Sequence, residues 1–389
     1  NNPDKPSLYA WLPNERPPQA LQTYTRNPYY WKVDIGGNQL PYIDEIRSVR
    51  LADDEAILLK IIAGEMDFPS TISSLTANLP MLAQYKEEVG FRYVYGDWMP
   101  NSYGNIMFNF QHPEEARREL YGDVRFRQAL SVAINREEII KLVHKGGVYA
   151  SQVAPHYGPP YHGESDMFKV WTQHDPDLAN EMLDEIGLTE RDAEGFRLGL
   201  DGQPLLLVMA ANTAWSGIVV ELMELVRGYW AEVGINMTVT PEAAQLWTTR
   251  HNASEHDLSS RMAHFGGGPV HPTLNENTFC LGNWQWAPEW ALWLDSDGER
   301  GVEPPEGVKR IRQIREEVLA ESDPAKQDEM IMEVFQIHMD NLWSLGLTVD
   351  DPSVTRMVVV NNRIRNVPTK FASFEYHPNV PASFFVNEA

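Results

Sequence analysis

The 389-residue chain is longer than one core usually organises, so two or more lobes are expected. Its 43% apolar and 22% charged residues are ordinary globular usage and argue against disorder, despite 27 prolines. The 55 acidic against 32 basic side chains leave a formal charge of −23, which repels phosphate backbones and anionic lipid and sets nucleic-acid binding aside.

Cys280 is the only cysteine, which excludes an intrachain disulfide, a zinc knuckle or a redox pair. Residue 1 lies in a Pro-rich polar stretch, 1–18, with no basic and apolar leader, and reads as a cut within a longer chain. Apolar runs such as 205–211 fall short of the roughly 20 residues that a membrane span requires.

In chain order, apolar alternation over 43–51 predicts a strand. Asp53 or Asp54 then caps a helix whose Ile57, Leu58, Ile61 and Ile62 form an apolar face ending at Gly64. Residues 91–95 and 105–110 read as strands joined by an aromatic loop, Trp98-Met99-Pro100-Asn101-Ser102-Tyr103. A helix starts at Asp123 and carries Phe126, Ala129, Leu130, Ala133 and Ile134. It continues past a break at Asn135 through Ile139 and Leu142, and stops at Gly146-Gly147.

Asp175-Pro176 opens a further helix that Gly187 terminates. Residues 205–210, 215–233 and 235–240 read as strand, helix and strand, a βαβ crossover that implies a parallel pair. A strand over 257–263 runs into Gly266-Gly267-Gly268-Pro269, where side chains would obstruct the backbone. Helices over 306–320 and 324–339 and a strand over 355–360 complete the series. With no internal repeat, the pattern is an α/β protein whose helices cover mostly parallel strands.

Enzyme motifs are missing: there is no Gly-x-Ser-x-Gly elbow, His-Glu-x-x-His zinc helix or Gly-x-x-x-x-Gly-Lys phosphate loop. No cofactor and no metal are expected. His251, His256, His264 and His271 match no single helix face and read as scattered loop and surface histidines, of which His264 beside the glycines stands out. Four tryptophans crowd ten residues. Trp290 and Trp293, at i and i+3, suit core packing, whereas Trp284 and Trp286 beside Asn283 and Gln285 suit a sugar or peptide ligand. Glu289 and Asp295 nearby leave open a carbohydrate hydrolase working through a carboxylate pair.

Three blocks resemble the peptide/nickel-type family of extracytoplasmic solute-binding proteins. The first is Arg26-Asn27-Pro28-Tyr29-Tyr30-Trp31, followed by Gly37-Asn38-Gln39-Leu40-Pro41-Tyr42-Ile43-Asp44 and Gly64-Glu65-Met66-Asp67. The second is Val124-Arg125-Phe126-Arg127-Gln128-Ala129-Leu130 with Ala133-Ile134-Asn135-Arg136, and the third is 346–349 with Asn366-Val367-Pro368.

The resemblance implies a type II periplasmic-binding-protein-like clamshell of two lobes with mixed or parallel sheets, lacking the first part of lobe I and a small extra domain. Part of lobe I would comprise 1–105 and 346–389 and the distal lobe 106–345, with hinge crossings near 105–110 and 345. It implies a monomeric, non-catalytic receptor, periplasmic or extracellular, that hands a small solute to an ABC permease in the membrane. The ligand-facing set would be Trp98, Asn101, Asn212, Trp215, Arg261, His264, Phe265, Gly266, Trp284 and Trp286.

One departure bears on the ligand. Peptide-binding members resemble one another in a Gly-Trp-x-x-Asp segment whose aspartate anchors the peptide's α-amine. Here no acidic residue occurs between Asp257 and Glu276. An ammonium buried without a counter-charge is costly, so an oligosaccharide or opine-like solute competes with a peptide.

Overall fold

The computed structural model describes residues 6–16, 20–51, 53–69, 78–96, 101–153, 166–213, 218–264, 287–350, 357–368, 370–371 and 381–387. The chain divides into two compact units, one of Asn1–Trp98 with Pro352–Ala389 and the other of Met99–Asp351.

The first unit opens with an antiparallel sheet of β1 (Trp11–Pro13), β2 (Leu21–Arg26) and β3 (Glu45–Val49). Helix α1 (Asp54–Ile62) is capped by Asp53, whose carboxylate accepts the Ala56 N–H at 2.8 Å. Its Leu58 and Ile61 pack on Leu82 of α2 (Leu79–Val89) and Phe91 of β4 (Phe91–Gly96).

The second unit holds the larger core, built on β5 (Asn101–Phe108), α3 (Glu115–Gly122), α4 (Val124–Val132), α5 (Arg136–Ile139), β6 (Val148–Ala150) and α6 (Pro176–Glu185). It continues with β7 (Leu206–Asn212), α7 (Ile218–Glu232), β8 (Asn236–Glu242), α8 (Ala244–Asn252) and β9 (Leu258–His264). Helices α9 (Pro288–Asp295), α10 (Glu306–Ala320) and α11 (Pro324–Asn341) follow, and β10 (Ser344–Leu345) and β11 (Thr348–Asp350) close it. The chain then returns to the first unit, where β12 (Met357–Asn361) pairs antiparallel and β14 (Lys370–Phe371) parallel with β4. There β13 (Ile364–Arg365) pairs with β15 (Phe385–Val386).

The expected βαβ unit is present: β7 and β8 pair in parallel, from Leu206 opposite Asn236 to Asn212 opposite Glu242. The helix between them buries Val219, Leu222, Met223, Val226 and Trp230, whose indole N–H donates to the Leu130 carbonyl at 3.0 Å. The sheet is nevertheless not mostly parallel. Its order is β6-β11-β5-β9-β7-β8 with β10 also on β5, and only β7 has parallel partners. The reason is topological: the chain enters this unit on β5 and leaves it on β11, and two neighbouring strands running in and out must oppose each other.

Two further expectations change. Strand β5 begins at Asn101, so half of the supposed aromatic loop is strand, with a register shift between Ser102 and Asn105 where Gly104 takes φ +71°. The long helix from Asp123 is broken, because Asn135 accepts the Glu138 N–H at 3.0 Å and starts a new turn that runs into a π-helical segment, Ile140–His144.

Buried arginines tie this unit together without carboxylates. Arg136 donates to the Gly346 carbonyl at 3.0 and 2.8 Å and to the Ser131 carbonyl at 2.8 Å. Gln152 accepts the Gly346 N–H at 3.0 Å and donates to Ser131 Oγ at 2.9 Å. Both backbone groups of Gly346 are thus held by side chains, so close in that a Cβ there would lie 2.3 Å from the Gln152 carbonyl carbon.

Candidate functional site

Parallel strands β7, β8 and β9 carry their carboxyl ends to one edge of the sheet, the place where α/β folds gather ligands. Asn212 closes β7 and pairs in register with Glu242, which closes β8. The Ala211–Ser260 pair brings Asn212 level with Arg261, and Asn101, opening β5, lies opposite His264 at the end of β9. Four residues expected from sequence, Asn101, Asn212, Arg261 and His264, are therefore neighbours along this edge. Trp98, Trp215, Phe265, Gly266, Trp284 and Trp286 lie outside the described residues.

Asn212 is only 3% exposed, so its amide is a fixed element of the edge and not a mobile surface group. Beside it stands a charge that sequence reasoning did not single out. The Glu242 side chain is fully buried and ion-paired with Arg250 of α8, while its own carbonyl accepts the Thr213 N–H at 3.0 Å. Position 242 closes a strand after Pro241, a signal of a strand end but not of a buried ion pair. One carboxylate oxygen of Glu242 has no hydrogen-bond partner.

The histidine reading needs correction. His251 and His256 are not surface residues: they are 3% and 5% exposed, stacked ring on ring at 4.5 Å, with Trp247 on the far side of His251 at 4.5 Å. Burial, with the neighbouring His251 second, pulls the His256 imidazole down to about 3 and keeps it neutral. Among the described residues no group of three or more His, Cys, Asp or Glu side chains is placed to hold a metal ion.

At the other end of β9, Asp257 accepts from Arg117 at 2.7 Å, from the Tyr121 hydroxyl at 2.7 Å and from the Val208 N–H at 2.8 Å. That carboxylate is saturated and fastens β9 to α3 and β7. The pair considered for hydrolysis does not form a facing couple. Glu289 and Asp295 sit six residues apart on α9, about 120° around the axis. Asp295 is engaged by Arg312 at 2.7 Å. Trp290 stacks on Phe110 at 5.2 Å and 21°, which is packing.

The chain matches the profile of bacterial extracellular solute-binding proteins, family 5 Middle, over residues 10–285, and it belongs to that family. It is 24% identical over 380 residues to a periplasmic alpha-galactoside-binding protein of Rhizobium meliloti, covering 93% of this chain and 52% of that one. A dipeptide-binding protein of Escherichia coli is 30% identical over 135 residues, 34% of this chain and 23% of its own length.

Among solved structures, the oligopeptide-binding protein OppA superposes with a TM-score of 0.66 at 28% identity, over 100% of this chain and 63% of its own. The periplasmic binding protein MelB from Agrobacterium fabrum, in complex with stachyose, superposes at 0.76 with 22% identity, over 98% and 57%. The chain spans about half the length of the curated relatives it matches. The fold is that of the α/β periplasmic binding proteins, and the family is one of binding proteins, not enzymes. No helix among the described residues is long and apolar enough to cross a membrane.

Proposed function

We propose that this chain is part of the extracytoplasmic receptor of an ABC importer and that its solute is a neutral oligosaccharide of the α-galactoside kind. The observation that carries the choice of ligand is the missing carboxylate: no acidic residue follows β9 before Glu276, so a peptide ammonium would lack its usual counter-charge there. A sugar needs none. Neutral hydroxyls are matched by amides and backbone groups at strand ends, and Asn212 supplies a fixed amide at this edge. The Rhizobium relative, which aligns with 93% of the chain, is named for α-galactosides, and that supports the same reading.

In this reading the receptor is monomeric, works outside the cytoplasm and delivers its solute to a membrane permease after ligand-driven lobe closure. The test is titration of the full chain with stachyose, raffinose and a tripeptide, followed by tryptophan fluorescence and thermal unfolding. The galactosides are expected to raise the unfolding midpoint with no product formed. Replacing Asn212 by alanine is expected to weaken them about tenfold, the worth of one good hydrogen bond. A response to the tripeptide alone would overturn the assignment.

A further inference from the structure

A cavity of about 390 Å³ opens in the Met99–Asp351 unit beside the edge strand β6, on the opposite side of the seven-stranded sheet from β7 and β8. Its walls include Asn135, Arg136 and Glu137 at the start of α5, Tyr149 of β6, and Lys169 and His174 from the segment leading into α6. That volume suits a small organic solute.

Three independent features give the cavity a chemical character. The first is the charge behind it. Arg136 is 1% exposed, and its guanidinium donates to carbonyl and hydroxyl oxygens alone. No carboxylate among the described residues pairs with it. Burial draws its pKa down to about 9, as expected for a cation without a counter-ion.

The second is Lys169, whose nearest carboxylate, Asp166, lies 3.8 Å away and is wholly exposed, so the ammonium is held weakly in place. The third is strain in the wall. Trp171 takes φ +57°, a region bulky side chains avoid, and is pinned there by the Ser131 hydroxyl donating to its carbonyl at 2.6 Å. Such a conformation costs about 1–3 kcal/mol and persists where the surroundings enforce it, commonly around ligand sites.

We propose that this cavity is a second binding site, for a small solute carrying a carboxylate or another oxyanion group. Lys169 would meet the anion directly. Arg136, with its N–H groups committed to Gly346 and Ser131, acts through its uncompensated field, which a low-dielectric setting screens poorly. Glu137 is exposed at the rim and opposes the anion, so the site is attractive by the difference between two cations and one carboxylate.

The test is isothermal titration of the full chain with citrate and, separately, inorganic phosphate at constant ionic strength. Saturable one-site binding of either anion is expected, and the stronger of the two arms identifies carboxylate or phosphate as the preferred group. Lys169→Gln should weaken it about tenfold and Glu137→Gln should tighten it by a few fold, the two shifts having opposite sign. No saturable heat with either anion, or binding indifferent to both substitutions, would overturn the site. Sugar is titrated separately, so a chain that ignores stachyose but takes citrate refutes only the ligand reading above.

Discussion

Gly346 shows how a single residue can be dictated by what surrounds it. Its N–H and carbonyl are both bound by side chains, and the backbone of Gln152 occupies the space a methyl group would need. Gly346→Ala is therefore expected to cost about 2–4 kcal/mol, as overpacking against backbone compounds the loss of hydrogen bonds. Urea unfolding followed by far-UV circular dichroism measures it.

His338 bears on pH in the same way. Burial, with Arg127 second, holds its imidazole near a pKa of about 3. Below about pH 6.5 the unfolded chain takes up a proton that the folded chain refuses. Stability is thus full above that pH and is lost as pH falls toward about 3, with His256 adding to the same trend. Replacing His338 by methionine should flatten the slope of unfolding free energy between pH 6.5 and 4, a change on the order of a few kcal/mol. An unchanged slope would show that this ring does not report on folding.

At the scale of the element, α7 carries the unit's core because its apolar residues recur on one face and end in a tryptophan whose N–H is satisfied by Leu130. Trp230→Ala should cost about 3–5 kcal/mol, and Trp230→Phe clearly less, since the phenyl ring refills most of the space and leaves one carbonyl unpaired. Calorimetry of the two variants checks the order.

The same helix was plain in the sequence, as were its flanking strands, because periodicities of 3.6 and 2 change over at Gly234 and at the end of β7. Helix α3 was not legible: of its eight residues only Leu120 and Tyr121 are buried, too few to set a period. Nor was the histidine stack, since spacing along a chain says nothing about rings brought together by the turn between α8 and β9. Asn101, Asn212, Arg261 and His264 could be picked out because they stand at strand ends, which sequence marks. Glu242 could not, because burial of a carboxylate depends on Arg250 lying opposite it in space.

The whole molecule is strongly anionic, and its formal charge of −23 is a standing repulsion that folding concentrates. Raising NaCl from 10 to 150 mM shortens the screening length from about 30 to about 8 Å. The heat-unfolding midpoint should accordingly rise by a few degrees, with most of the gain at the low end of the series. A flat response in scanning calorimetry would mean that the acidic side chains are already neutralised by their local ion pairs.

The placement of β5 sets the order in which this unit can be assembled. That strand is laid down early, yet its partners are Ser259 and Ser260 of β9 and, later still, Ser344, Leu345 and Thr348 near the end of the unit. Pairings between residues so far apart close slowly, because the intervening chain must surrender its freedom before any contact rewards it. The central strand of the sheet thus waits, unpaired on one side, until β10 and β11 exist, and the unit has no complete native sheet before synthesis reaches residue 350.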